Sequence, residues 1–238
     1  MVKDLRCRSG KEFALTAVRN PVSTIRNGVL ALIWTLFIIS FAVTFTLNFR
    51  PLYYFDISYL ELHEATGLSD EVIRENYDVL IDYNNFWGPD TLEFPTFGMS
   101  ESGEIHFQEV KAIFVTIEYM LIVTLVLGIA GSIWCRKRGE RKYLKYCSIL
   151  TVALPALVGL LIAVNWDNAF VLFHKIFFRN DYWLFSVSED PVILILPDTF
   201  FLHCAVMILL LIVAGSLLCA FLYRRGKRKA ATANSTIS

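Results

Sequence analysis

The chain of 238 residues balances 22 Lys+Arg against 22 Asp+Glu, so its average charge points to no nucleic-acid or other polyanionic partner. A hydrophobic fraction of 55% and a mean hydropathy of +0.52 stand above the roughly 45–50% apolar content of soluble domains. The excess lies in blocks of membrane-spanning length, which excludes a soluble enzyme and a disordered chain.

A basic arm, residues 1–27, precedes the first apolar block at 28–49, which holds 22 residues and no charge. As a helix it would reach about 33 Å against a hydrocarbon core of about 30 Å. Its length exceeds that of a signal-peptide core, and Arg50-Pro51-Leu52 follows where a cleavage site would carry small residues, so the block reads as a retained anchor. The segment 50–111 is large enough for a cap but needs the membrane surface to complete a core. Within it Ser69 is the expected N-cap of a helix with Asp70 and Glu71 in its first turn. Val72, Ile73, Tyr77, Leu80 and Ile81 form the apolar stripe, and Asn84-Asn85 marks the end. Gly88-Pro89, Pro95, Gly98 and Gly103 then punctuate an irregular connection. A helix resumes at Ser102 or Gly103 and carries His106 into the second block, 112–134, whose single acid is Glu118.

A basic loop at 135–147 leads to the third block, 148–165, which contains Pro155. The segment 166–198 opens with a short helix over 167–178, whose Phe170, Phe173, His174, Phe177 and Phe178 recur at spacings of three and four. Such a helix presents one aromatic face and lies in the interface. The apolar run 192–196 is too short to span and should either dip into the interface or pack beneath the cap. The fourth block covers 199–222, and a basic tail closes the chain at 223–238. No block shows the ten-residue alternation of an outer-membrane barrel. The expected fold is an all-α membrane protein of four transmembrane helices under an extracellular cap.

Seventeen of the 22 basic residues fall in the arm, the 135–147 loop and the tail, whereas 18 of the 22 acids fall in 50–111 and 166–198. The positive-inside rule then puts both termini in the cytoplasm and the two acidic segments outside. All five cysteines lie in or beside the inner segments or in the fourth span, which leaves no disulfide framework for the outer segments.

Chemistry narrows to the histidines. His106 and His174 both fall at the outer membrane boundary, where a bundle of helices can bring them face to face. The competing reading of such a pair is interfacial packing. His203, one turn inside the fourth block, is expected to hydrogen-bond within the bundle, and His63 to sit on the cap surface. There is no HExxH or paired-cysteine metal motif, no G-x-S-x-G elbow and no phosphate loop. Glu118 is an intramembrane acid and therefore a functional candidate, or else a group satisfied by a neighbour.

The stretches ATGLSDEVIRENYDVLIDYNNFW, MSESGEIHFQEVKAIF and FHKIFFRNDYWLFSVSEDPVILILPDTFF resemble the bacterial lipoprotein intramolecular transacylase family. The resemblance implies a cap over four spans, with His106 and His174 as catalytic residues where cap and membrane meet. It implies a lipoprotein substrate whose N-terminal cysteine carries a diacylglyceryl group and a free α-amine, the sn-2 acyl chain moving to that amine to give the lyso form. Ester to amide runs downhill, so no metal or other cofactor is expected, and the partners are the lipoprotein and membrane lipid. On chain position, His106 with Glu109 three residues on is the expected base, and His174 the group that stabilises the oxyanion or protonates the leaving oxygen. Phe170, Phe177, Phe178 and Trp183 are expected to hold the glyceryl and acyl stems, with Asn180, Asp181 and Asp198 in support. Two other functions compete with this one: a non-enzymatic membrane protein whose acidic cap binds a partner protein, and an enzyme that moves acyl chains between molecules.

Overall fold

A computed structural model describes residues 21–235, with side chains in that range other than 154, 157, 158, 161–163, 229–231 and 233–235. The basic residues expected at Lys3, Arg6, Arg8, Lys11 and Arg19, and Cys7, lie outside the described residues.

The first helix, α1 (Pro21–Asn48), begins before the apolar block and runs to one residue short of its end. Pro51 stops it. A proline has no N–H to continue the ladder, and it opens the next helix, α2 (Arg50–Tyr59), at an N-terminal position where that N–H is not needed. Two further cap helices follow, α3 (Leu62–Thr66) and α4 (Asp70–Tyr83). Ser69 caps α4 as its sequence predicts, its hydroxyl accepting from the Val72 N–H at 3.4 Å. At the other end the side chains of Asn84 and Asn85 donate back to the carbonyls of Leu80 and Ile81.

The long helix α5 (Glu101–Lys137) carries His106 near its start, and α6 (Lys142–Val164), α7 (Trp166–Phe177) and α8 (Asp198–Ser235) complete the order. What was expected as a tail after residue 222 continues α8 as helix to Ser235. Among the described residues three helices, α1, α5 and α8, are long and apolar enough to cross a membrane, where the sequence led us to expect four. The difference falls on the block 148–165. It lies in α6, a helix of 23 residues that opens on Lys142 and Lys145 and contains Pro155, and six of the block's side chains lie outside the described set.

Helix α1 is the hub, packing on α5, α6 and α8, while α6 packs on α8. Close approach of α1 to α5 needs a small residue: a Cβ on Gly128 would fall 3.0 Å from the Trp34 ring. On the opposite faces of α5 and α8, Val126, Ile133, Leu210 and Leu217 are exposed, as a surface turned to lipid requires. At one end of this bundle Arg26 pairs with Glu140, Asn27 accepts from the Tyr143 N–H, and Gly226 of α8 abuts the Arg141 side chain. At the other end sits the cap. Tyr53 stacks on Tyr77 with ring centroids 3.6 Å apart and donates its hydroxyl proton to the Ile195 carbonyl at 2.7 Å. Ile195 belongs to a 3-10 turn, Pro191–Ile195, whose Val192 and Ile195 are fully buried in the cap core. The run 192–196 therefore packs against the cap, one of the two placements left open by its length.

Candidate active site

His106 lies in the second turn of α5, and the first turn, just before it, is held by a clamp from elsewhere in the chain. Ser100 caps α5 through its hydroxyl, which accepts from the Gly103 N–H at 3.0 Å. The Asp190 carboxylate in turn accepts from the Ser100 N–H and hydroxyl, both at 2.8 Å. Asp190 is buried, and Gly103 is what lets it approach, because a Cβ there would stand 2.3 Å from Asp190 Oδ1. An acid at a helix N-terminus also complements the helix dipole.

Helix α7 supplies His174. Asn165 caps it by accepting from the Asn168 N–H at 2.8 Å. The expected aromatic helix is thus present, and it brings the two histidines to ring centroids 6.1 Å apart. The space around them is aromatic. Phe178 lies 4.7 Å from His106 and 5.6 Å from His174, and Trp183 stacks on His174 at 4.7 Å with Phe170 4.3 Å away on that ring. Phe185, which sequence reasoning did not single out, closes on His106 at 5.4 Å and stacks on Phe107.

His174 Nδ1 stands 2.8 Å from the carbonyl oxygen of Phe170. A carbonyl only accepts, so Nδ1 carries the proton and Nε2 holds the lone pair. Burial pushes the His174 imidazole below its ordinary pKa, against the raising effect of the Phe170 carbonyl, and so favours the neutral ring. His106 is 5% exposed, and its Nδ1 finds no hydrogen-bond partner among the described residues.

The remaining candidates divide. Glu109 does not bond His106: its Oε1 accepts from Asn180 Nδ2 at 2.9 Å, joining α5 to the loop after α7. Asn180 Oδ1 shapes that loop by accepting from the Tyr182 N–H. Phe177 is 52% exposed and its ring lies tilted against Phe173, with centroids 4.7 Å apart. Asp181 and Asp198 are exposed and make no side-chain hydrogen bond among the described residues. No metal-ligating cluster occurs among the described residues. Four buried polar atoms around the pair have no partner among the described residues: His106 Nδ1, Glu109 Oε2, Trp166 Nε1 and Trp183 Nε1.

Outside this site, Glu118 is 3% exposed and accepts from the Phe86 N–H at 2.8 Å, which fastens the end of the cap to the flank of α5. His203 bonds through Nδ1 to the buried Asp56 carboxylate at 2.8 Å, so its partner lies in cap helix α2 and not in the bundle. His63 is exposed on the cap beside Glu64.

The family model for the lipoprotein intramolecular transacylase Lit matches residues 28–201, which takes in the first span, the cap and both histidines. The chain belongs to the lipoprotein intramolecular transacylase family. Solved relatives agree. The membrane integral lipoprotein intramolecular transacylase Lit from Bacillus cereus is 38% identical with a TM-score of 0.87, over 90% of this chain and 100% of that one. Two variants of that protein, in which a histidine is replaced by arginine or alanine, match with TM-scores of 0.83 and 0.81 at 37% and 38% identity. They cover 94% and 89% of this chain and 99% and 96% of theirs. A comparison with curated proteins finds no match. As a member of the transacylase family the chain is an integral, multi-pass membrane acyltransferase.

Proposed function

We propose that this transacylase moves the sn-2 acyl chain of a diacylglyceryl lipoprotein to the α-amine of its N-terminal cysteine, with His106 and His174 handling the protons. The observation that carries this chemistry is the imidazole pair, 6.1 Å apart in an aromatic enclosure, with the tautomer of one ring set by the Phe170 carbonyl. His174 Nε2, holding the lone pair, takes a proton from the amine as nitrogen attacks the sn-2 carbonyl. The C–N bond forms, an oxyanion develops, and His106 stabilises it through a ring N–H. The C–O bond to glycerol then breaks and the proton on His174 Nε2 passes to the departing oxygen. This exchanges the roles that chain position alone suggested, because Glu109 is engaged by Asn180 and does not orient His106.

Nucleophile and ester belong to one molecule, so no covalent enzyme intermediate is needed and the protein acts by folding its substrate. Effective molarities of ~10⁵ M or more are the scale of that effect. Phe170, Phe178 and Trp183 hold the glyceryl and acyl stems near the pair, while Phe177, exposed beyond them, meets membrane lipid.

The same reading has four spans, with α6 supplying the third, both termini on the cytoplasmic side of a bacterial membrane, and the cap and site at the outer surface. Its support is the gathering of Arg26, Glu140, Arg141 and the end of α8 at the pole of the bundle opposite the cap.

The test is mass spectrometry of a diacylglyceryl lipopeptide with isotope-labelled acyl chains, incubated with the purified protein and an unlabelled acceptor peptide. The expected product is an N-acyl cysteine bearing a monoacylglyceryl group, with its own label and none on the acceptor. Label on the acceptor would replace this reading with transfer between molecules, and an unchanged lipopeptide would remove it.

A further inference from the structure

Glu109 presents an arrangement that the proton transfer above leaves unused. Its Oε1 is fixed by Asn180 Nδ2, whereas its Oε2 is buried with no partner among the described residues. Leaving a buried carboxylate oxygen without a donor is costly, and a carboxylate can only accept. The position is also specific. Glu109 lies three residues after His106, on the same face of α5, and Asn180 lies six residues after His174, so the carboxylate stands between the two elements that carry the imidazoles. No Lys, Arg or His pairs with it among the described residues.

The head of a diacylglyceryl cysteine offers two ester groups and a thioether, all acceptors, and one group that is both a donor and cationic near neutral pH: the α-ammonium. We propose that Glu109 Oε2 binds this α-ammonium, so that Glu109 is the residue by which the enzyme recognises a lipoprotein with a free N-terminus. This inference rests on the transacylase reading and deepens it. Asn180 is the positioning residue, holding the carboxylate in one orientation. The ammonium docks on Oε2 and gives up one proton to solvent to become the nucleophilic amine. A second N–H proton is taken by His174 Nε2 on attack and returned to the glyceryl oxygen, so one ammonium and one ester give one amide, one alcohol and one released proton. The product amide has no positive charge and is held less tightly, which favours release, and lipoproteins already N-acylated are rejected for the same reason.

The experiment uses two lipopeptides whose sn-2 chain is ether-linked and cannot transfer, one with a free α-amine and one N-acetylated, with binding to the full-length protein measured at pH 7. A charge-assisted hydrogen bond predicts that wild type prefers the free amine by about 10- to 100-fold. In Glu109→Gln, which can still accept from Asn180, that preference should vanish while the N-acetyl probe binds as before, which also reports a folded site. Should the variant bind neither probe, the wild-type preference decides: it should fade as pH rises past the amine pKa of about 8. A preference retained in Glu109→Gln, absent in wild type, or unchanged between pH 6 and about 9.5 overturns the assignment. Turnover of the ordinary ester lipopeptide by wild type separates the two readings: conversion without amine preference sinks only the role of Glu109, and no conversion sinks the transacylase mechanism with it.

Discussion

Asp190 and Ser100, 90 residues apart in the chain, share two hydrogen bonds of 2.8 Å that tie the segment after α7 to the first turn of the helix carrying His106. The two histidines thus sit on elements joined twice, once here and once by Asn180 and Glu109. The proposed proton transfer needs such fixed spacing, because small displacements of reacting groups cost large factors in rate.

The clamp makes a paired prediction. Asp190→Ala removes the acceptor for two Ser100 donors and should lower stability by about 1–3 kcal/mol, with loss of turnover at temperatures where the protein remains folded. Gly103→Ala should mimic it by forcing the Asp190 carboxylate aside, since the new Cβ falls 2.3 Å from Oδ1. Thermal melts alongside turnover check both; a Gly103→Ala protein with wild-type stability and rate would mean that the clamp does not matter.

Glu118 predicts a contrast between isosteric and apolar replacement. Gln retains an oxygen for the Phe86 N–H, so Glu118→Gln should stay near wild-type stability. Glu118→Leu should cost about 1–3 kcal/mol and loosen the edge of the cap. Hydrogen exchange at the Phe86 amide reads this directly. Equal protection in both variants would show that the cap does not depend on this contact.

The contacts that hold the two histidine-bearing elements together illustrate what the sequence could and could not reveal. Local patterns carried through: the Ser69 cap, the apolar stripe of α4, the aromatic face of α7 and the helix running through His106 all rest on spacings within a few turns. Pairings across 71 and 90 residues, Asn180 with Glu109 and Asp190 with Ser100, leave no periodic trace. The i+3 spacing of His106 and Glu109 therefore suggested a partnership that the fold gives to Asn180. The tautomer of His174 was equally hidden, since it depends on which carbonyl its ring meets. Phe185 had no signal beyond being one aromatic among many, and the block 148–165 read as a span by composition, although α6 does not join the three long apolar helices.

A pH profile tests the assignment of His174 as base. The reaction needs a neutral amine, with a pKa of about 7.7–8.0, and a neutral His174, whose pKa burial holds below about 6.5. As pH falls, log kcat/KM should drop with unit slope below about 8 and steepen to a slope of two only below about 6.5. The depressed folded value also means that the ring's contribution to stability is fully present above about pH 6.5 and is lost as pH falls toward the folded pKa. A second break at or above pH 6.5 would contradict a buried, neutral base.

Topology gives a test independent of chemistry. With Cys7 and Cys204 replaced by serine, a cysteine at exposed Asp90 should react with an impermeant maleimide on intact cells, and one at exposed Lys137 only after lysis. Labelling in the reverse sense would turn the histidines toward the cytoplasm and overturn the outer-surface site.

The most direct measurement is the single-turnover rate of acyl transfer in wild type, His106→Gln, His174→Gln and the double variant, each verified as folded by its melting temperature. The account predicts a loss of ~10²–10⁴ in the chemical step for each single variant. The double variant should be little slower than the slower single one, because groups that act together are not additive. Lipopeptide binding should be nearly unchanged, since buried acyl chain contributes ~0.8 kcal/mol per CH₂ whatever the headgroup contacts. A folded His106→Gln or His174→Gln protein that transfers the acyl chain at the wild-type rate would contradict it.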